Sequence, residues 1–171
     1  ITLSNSKEGE AVGIDLRPRV EFPGTPNALL AATDEDGRLA SLVVLTLLPD
    51  GQGGSIVTVP VNADATAGFG LQRRPIVDGF DASDVESLVI EVEDMLSITV
   101  QLAAIVDVDA LAAWLPQPGA MVVDLPNDVV DTVGGGGVIA VAGRQTFSAS
   151  QLADLLVAID DDALAQAAHA N

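Results

Sequence analysis

Cysteine is missing from this 171-residue chain. Its absence excludes disulfides, thiolate metal sites and cysteine nucleophiles, and leaves the compartment open. Aromatic residues are scarce, at 3%. A core must therefore be built from Val, Leu, Ile and Ala, which suit buried strands and helix faces alike. Positive charge is scarce as well: 7 Lys and Arg stand against 25 Asp and Glu, for a net charge of −18. Such a surface repels phosphate backbones and anionic bilayers, which excludes nucleic acid as a partner. Histidine occurs once, as His169 near the end, and reads as a solvated tail residue. Lysine occurs once, as Lys7, with no S-x-x-K around it, and no G-x-S-x-G nucleophile elbow is present. The glycines at 134–137 lack the Gly-Lys-Ser/Thr ending of a phosphate loop and read as a hairpin tip. Long hydrophobic runs are also lacking. The longest, residues 42–48 with Thr46 inside it, falls far short of the roughly 20 residues that cross a bilayer.

What is present is a folding composition. Apolar residues make up 49% of the chain, too many for a disordered segment, and the length suits one domain with one substantial core. Residues 1–19 are polar without a clear period and read as an arm or linker. Residues 20–171 read as a single domain. The first residue is Ile1 in a polar stretch, with no signal peptide. We read this as a fragment, and expect an upstream apolar helix of about twenty residues as its membrane anchor. The acidity reads as solubility or a salty habitat. Asp107 with Asp109, or the Asp run at 160–162, offers oxygen ligands for a hard cation, but neither fits a calcium-loop pattern, and no metal site is assigned.

Along the chain, residues 28–33 form a short apolar run, 34–37 carry turn chemistry, and 41–48 are nearly continuous Val and Leu, as in a strand covered on both faces. Gly51, Gly53 and Gly54 mark a hairpin loop before a β-branched strand at 55–61, with Pro60 near its end. Residues 62–79 read as loop. A helix follows, capped by Ser83 or Asp81, with Val85, Leu88, Val89, Val92, Met95 and Leu96 on one face and Glu91, Glu93 and Asp94 mostly on the other. Residues 98–106 read as a strand, and Asp109 as the cap of a short helix that packs Trp114 into the core. Residues 121–125 read as a strand, 129–133 and 138–141 as a pair of strands, and Ser148 as the start of a helix. Residues 163–168 continue or restart that helix. Interleaved strands and helices with early hairpins define an α/β fold: an α/β/α sandwich with a central mixed β-sheet.

Several short motifs, in order from Asn27 to Ile159, resemble the LytR-CpsA-Psr (LCP) family of the bacterial cell envelope. Leu29-Leu30-Ala31-Ala32-Thr33-Asp34 stands where the family has L-L-L-G-S-D. Arg38-Leu39-Ala40-Ser41 stands at its R-x-D-T, and Val57-Thr58-Val59-Pro60-Val61-Asn62 at its hallmark V-S-I-P-R-D. Gln72-Arg73-Arg74-Pro75-Ile76 weakly echoes a K-I-N-x-A loop, and Ile90-Glu91-Val92-Glu93-Asp94-Met95-Leu96 echoes T-V-E-x-L-L-G. Val106-Asp107-Val108-Asp109 echoes V-D-F, the segment around Val122-Val123-Asp124-Leu125-Pro126 echoes G-G-V-x-V-D-V-P, and residues 147–157 echo L-D-G-x-Q-A-L-x-Y-V-R.

The resemblance implies an extracytoplasmic domain held to the membrane through a helix absent from this chain. It also implies magnesium-dependent transfer of a glycopolymer phosphate from a polyprenyl pyrophosphate carrier to peptidoglycan. That chemistry rests on cations around the diphosphate. Here the family's hallmark Arg and Asp fall on Val61 and Asn62, the Asp of R-x-D on Ala40, and the arginines of the last helix on the apolar or acidic stretch at 157–160. Only Arg38 stays in place, with Arg73 and Arg74 nearby in sequence as loose substitutes. The leading expectation is therefore a non-catalytic, degenerate LCP-like module with no cofactor. It would bind a polyprenyl lipid, a cell-wall polymer or envelope proteins, or serve as a structural module. Arg38, Arg73, Arg74 and Asn62 are the candidate phosphate or ligand contacts; no residue is assigned to catalysis. The alternative is a divergent magnesium-dependent phosphotransferase. It would use those arginines and Arg144 for phosphate, with Asp34 or Asp64 for the metal. The bland expectation for Arg38 is a local ion pair with Asp36 or Glu35, and for Arg73 and Arg74 a salt bridge.

Overall fold

The computed structural model describes residues 24–66, 73–115, 120–133, 136–160 and 162. The arm at 1–19, the segment at 163–168 and the glycines at 134–135 lie outside the described residues. Val and Leu alternation builds the centre of the fold. Strand β1 (Asn27–Thr33) pairs antiparallel with β2 (Leu39–Leu47), and β2 pairs antiparallel with β3 (Gly54–Thr58). On its other side β1 pairs parallel with β6 (Leu102–Asp107), so the four-stranded sheet has the order β3-β2-β1-β6 and is mixed, as expected. Successive side chains of a strand point to opposite faces. Leu29, Ala31, Leu42 and Val44 therefore enter one core with Leu88 and Val92 of helix α2 (Val85–Leu96). Ala32 and Val106 enter a second core with Leu111 of α3 (Val108–Trp114) and Ala153 of α4 (Ala149–Leu156). Helices thus cover both faces, and the architecture is an α/β/α sandwich.

The remaining strands form small ladders. Strands β4 (Asp64–Thr66) and β5 (Arg73–Pro75) pair within 62–79, a stretch expected to be loop, and lead into the single turn α1 (Ile76–Gly79). The expected strand at 121–125 is β7 (Met121–Leu125). Its partner β10 (Gly143–Phe147), carrying Arg144 and Gln145, had no apolar run to announce it. β8 (Val129–Asp131) pairs with β9 (Gly137–Ala140) as expected. Under these ladders Val129, Ala140, Phe147 and Ala158 form a third apolar cluster.

Four local readings are corrected. Helix α2 is capped by Asp84, which accepts from Ser87 N at 3.1 Å, rather than by Ser83 or Asp81. Asp81 instead accepts from the amide (2.8 Å) and hydroxyl (2.7 Å) of Ser83, a turn that spends both candidates before the helix starts. Helix α3 begins two residues earlier than expected, capped by Asp107 rather than Asp109, with Asp107 accepting from Ala110 N at 2.7 Å. The strand expected over 98–106 starts only at Leu102. Ser97 closes α2 in the left-handed conformation (φ 54°), and the next residues bond to the Glu93 carboxylate and to Asn27 rather than to a ladder. Trp114, expected in the core, is 60% exposed at the last position of α3. Ser148 caps α4 with a full capping box to Gln151, as expected.

Candidate functional site

Strand direction decides which candidates meet. β1 and β6 are parallel, and β3 runs the same way because both β1 and β3 are antiparallel to β2. The carboxyl ends of all three strands therefore share one edge of the sheet, where open α/β sheets gather their ligands. The turn at 34–38 and the segment at 59–62 emerge there, so the fold brings Arg38 and Asn62 to one edge. Arg38 is exposed, and its Nη2 lies 2.9 Å from Asp36 Oδ2. The turn itself is built by Asp34, whose Oδ1 accepts from the amides of Asp36 (2.9 Å) and Arg38 (2.8 Å). Asn62 is half-buried, in a turn closed by Ala63 N donating to Pro60 O at 2.9 Å.

Arg73 and Arg74 lie on β5, opposite Thr66 and Ala65. Arg73 is exposed. Arg74 turns toward helix α2, and its Nη2 donates to Glu91 Oε1 at 2.5 Å. The guanidinium lies over Gly79 in the place a Cβ there would take, and its Nη1 is buried without a hydrogen-bond partner. Glu91 was expected on the outer side of α2; it is buried, with only 8% of its surface exposed. It follows Leu88 by three residues and so flanks the apolar stripe, and a charge there without a partner would cost several kcal/mol. Arg144 is exposed on β10, opposite Asp124 of β7. Among the described residues, the two arginines in ion pairs are thus each matched with a nearby carboxylate: Arg38 with Asp36, Arg74 with Glu91.

Two positions that the resemblance sets against the family's charged residues are apolar and packed. Ala40 and Val61 are both buried in the core. They line one small hollow together with Leu155, Leu156 and Ala158. Its volume is about 40 Å³. At about 10–15 Å³ of such space per water, the hollow holds a few waters at most, and no charged side chain lines it to meet a diphosphate. Beside it, a wider hollow of about 240 Å³ is lined by five carboxylates, those of Asp34, Glu35, Asp36, Asp131 and Asp154, and by no base. That field opposes an anionic ligand. A third hollow, an apolar cleft of about 450 Å³, lies at the opposite edge of the sheet, between the start of β1, the end of β2 and the starts of β3 and β6.

The magnesium implied by the resemblance finds a poor fit. Among the described residues no group of three or more Asp, Glu or His is placed to hold a metal ion. Asp34 spends Oδ1 on backbone amides, and Asp64 stands exposed on β4, apart from the acidic hollow. Among the described residues no helix is long and apolar enough to cross a membrane.

The arrangement defines a mixed-sheet sandwich whose carboxyl edge holds an apolar hollow beside an acidic one, and solved structures share that fold. The crystal structure of B. subtilis TagV superimposes with a TM-score of 0.65 at 16% identity, over 87% of this chain and 61% of that one. The LytR-CPS2A-psr family protein YwtF (TagT), with bound octaprenyl pyrophosphate lipid, gives 0.58 at 21% identity, over 81% of this chain and 60% of that one. TagT bound to LIIa-WTA gives 0.63 at 20% identity, over 90% and 62%. The chain therefore has the fold of these proteins and spans about three-fifths of their length. No protein-family model matches the sequence, and no curated protein does.

Proposed function

We propose that this chain is a non-catalytic, extracytoplasmic module of the cell envelope, working by binding rather than by phosphotransfer. One observation carries the reading: the hollow where the resemblance places the family's charged residues is paved by Ala40, Val61, Leu155, Leu156 and Ala158 and offers a diphosphate no positive charge. A fold whose relatives hold octaprenyl pyrophosphate and LIIa-WTA is here without cationic groups at that place. Transition-state arginines contribute about 10³ to 10⁵ in phosphoryl transfer, so their loss removes the activity while leaving the scaffold. What remains for an envelope lipid or polymer is apolar surface and the exposed Arg38 and Arg73. Membrane attachment through an upstream helix belongs to the same reading, and the full reading frame tests it. The direct test is incubation with a polyprenyl-pyrophosphate-linked glycopolymer, magnesium and peptidoglycan. The expected result is no release of polyprenyl pyrophosphate and no polymer transferred. Release in excess of a protein-free control supports the divergent phosphotransferase instead, with Arg74 freed from Glu91 to meet phosphate.

A further inference from the structure

The sheet ends at β3 in an unusual way. Strand edges present unpaired N–H and C=O groups, and proteins guard them with charges, proline or bulges. β3 reads Gly-Ser-Ile-Val-Thr over Gly54–Thr58, with none of these guards inside it. Two backbone bonds fix which of its residues face outward. Val59 N donates to Leu42 O at 2.8 Å, and Leu48 N donates to Gly53 O at 2.9 Å. In an antiparallel ladder hydrogen-bonded pairs alternate with non-bonded ones. Ser55 and Val57 therefore bond inward to Thr46 and Val44, while Gly54, Ile56 and Thr58 aim their backbone groups away from β2. None of these three outward residues meets a backbone partner among the described residues. The side chains are open as well: Ile56 is 73% exposed on one face, and Val57 is exposed on the other. Ile56 also lines the 450 Å³ apolar cleft with Ala28, Leu45, Leu47 and Leu102.

We infer that β3 is a docking edge that takes an added strand from another polypeptide, of alternating apolar and basic residues. Backbone pairing would fall on Gly54, Ile56 and Thr58, as in other strand-addition complexes. Alternate apolar side chains of the guest would enter the cleft beside Ile56 and Leu45. Charge selects the guest. The chain carries −18, so a second copy brought to strand spacing adds like charge to like, while a basic segment is drawn in. The inference stands on the edge geometry and is independent of whether the module transfers phosphate.

The test is hydrogen exchange of the full chain, followed residue by residue, with a capped peptide of alternating valine and lysine as probe. A scrambled peptide of the same composition, with its valines and lysines in blocks, is the control for charge alone. The expected result is slowing by about tenfold or more at the Gly54, Ile56 and Thr58 amides with the alternating peptide only. Ile56→Pro removes the outward N–H without touching the β2 ladder and should abolish the effect. Ile56→Lys, which keeps the backbone but repels the guest, should weaken it, with circular dichroism confirming the fold of both. Equal protection by the scrambled peptide overturns the inference. So does protection already present without peptide, whether it is independent of concentration (occupation by this chain's own arm) or rises with concentration (a second copy).

Discussion

On one face of the central sheet, α2 contributes twelve residues, and Leu88 and Val92 close over Leu29, Ala31, Leu42 and Val44 in the largest apolar cluster of the molecule. On the other face, α3 and α4 contribute seven and eight residues. At about 1.5 Å per residue these helices are roughly 10–12 Å long. They cover Ala32 and Val106 near the carboxyl edge and leave Leu45, Ile56 and Leu102 exposed near the amino edge. Both faces are built from the same aliphatic residues. What differs is the length of helix laid over them, so a hydrophobic strand position does not by itself say that the position is buried. The same contrast applies to charge. Glu91 lies on the well-covered side and takes Arg74 as its partner, while Asp36 and Arg38 pair in the open, where such pairs contribute little.

The sharpest way to break the comparison is to truncate one side chain on each face. Leu42→Ala, under α2, should lower stability by about 2–5 kcal/mol, whereas Ile56→Ala, in the bare region, should change it by no more than about 0.5 kcal/mol. Urea unfolding of the two variants measures both, and similar losses would mean that the amino edge is covered after all. Next in size is the half-buried ion pair. Glu91→Ala should cost about 1–3 kcal/mol, because it strands a guanidinium that already has one unpartnered nitrogen. Gly79→Ala should act in the same direction by pushing that guanidinium out of its place. By contrast, Arg38→Ala should be close to neutral in the same unfolding assay.

A smaller effect should come from pH. Asp84 is held below its ordinary value of 3.8 by hydrogen bonds from the Ser87 hydroxyl and amide, and Asp81 likewise by Ser83. A carboxyl depressed in the folded state stabilises above the unfolded value, and that contribution is lost as pH falls through the folded value. The difference in Tm between the wild-type chain and Asp84→Asn should therefore hold constant from neutrality to about pH 4 and shrink below it. A difference that grew on acidification would contradict the cap. Smallest of all, Trp114→Ala should leave stability within about 0.5 kcal/mol, with acrylamide quenching of the native tryptophan confirming its exposure.

Much of this was legible in the sequence. Apolar runs marked β1 and β2, a β-branched run marked β3, and the 3.6-residue stripe marked α2. Local competition hid the rest. Asp81 and Ser83 satisfy each other in a turn, which moved the α2 cap to Asp84. β10 carries Arg144, Gln145 and Thr146 and so shows no apolar alternation; only its partner β7 defines it. The partnership of Arg74 with Glu91 spans 17 positions and depends on a β4–β5 hairpin that no run of apolar residues marks. Glu91 could have been found from helix geometry alone, since it sits beside Val92 and one turn from Leu88 on the edge of the apolar stripe.

The central claim is that the carboxyl edge of the sheet is closed to a diphosphate. Calorimetric titration with octaprenyl pyrophosphate, in the presence and absence of magnesium, tests it most directly, with octaprenol as the head-group-free reference. The account predicts that the two lipids bind alike, or not at all, with no response to magnesium and none to Arg38→Ala. Binding that requires the diphosphate, tightens with magnesium and weakens in Arg38→Ala would contradict it.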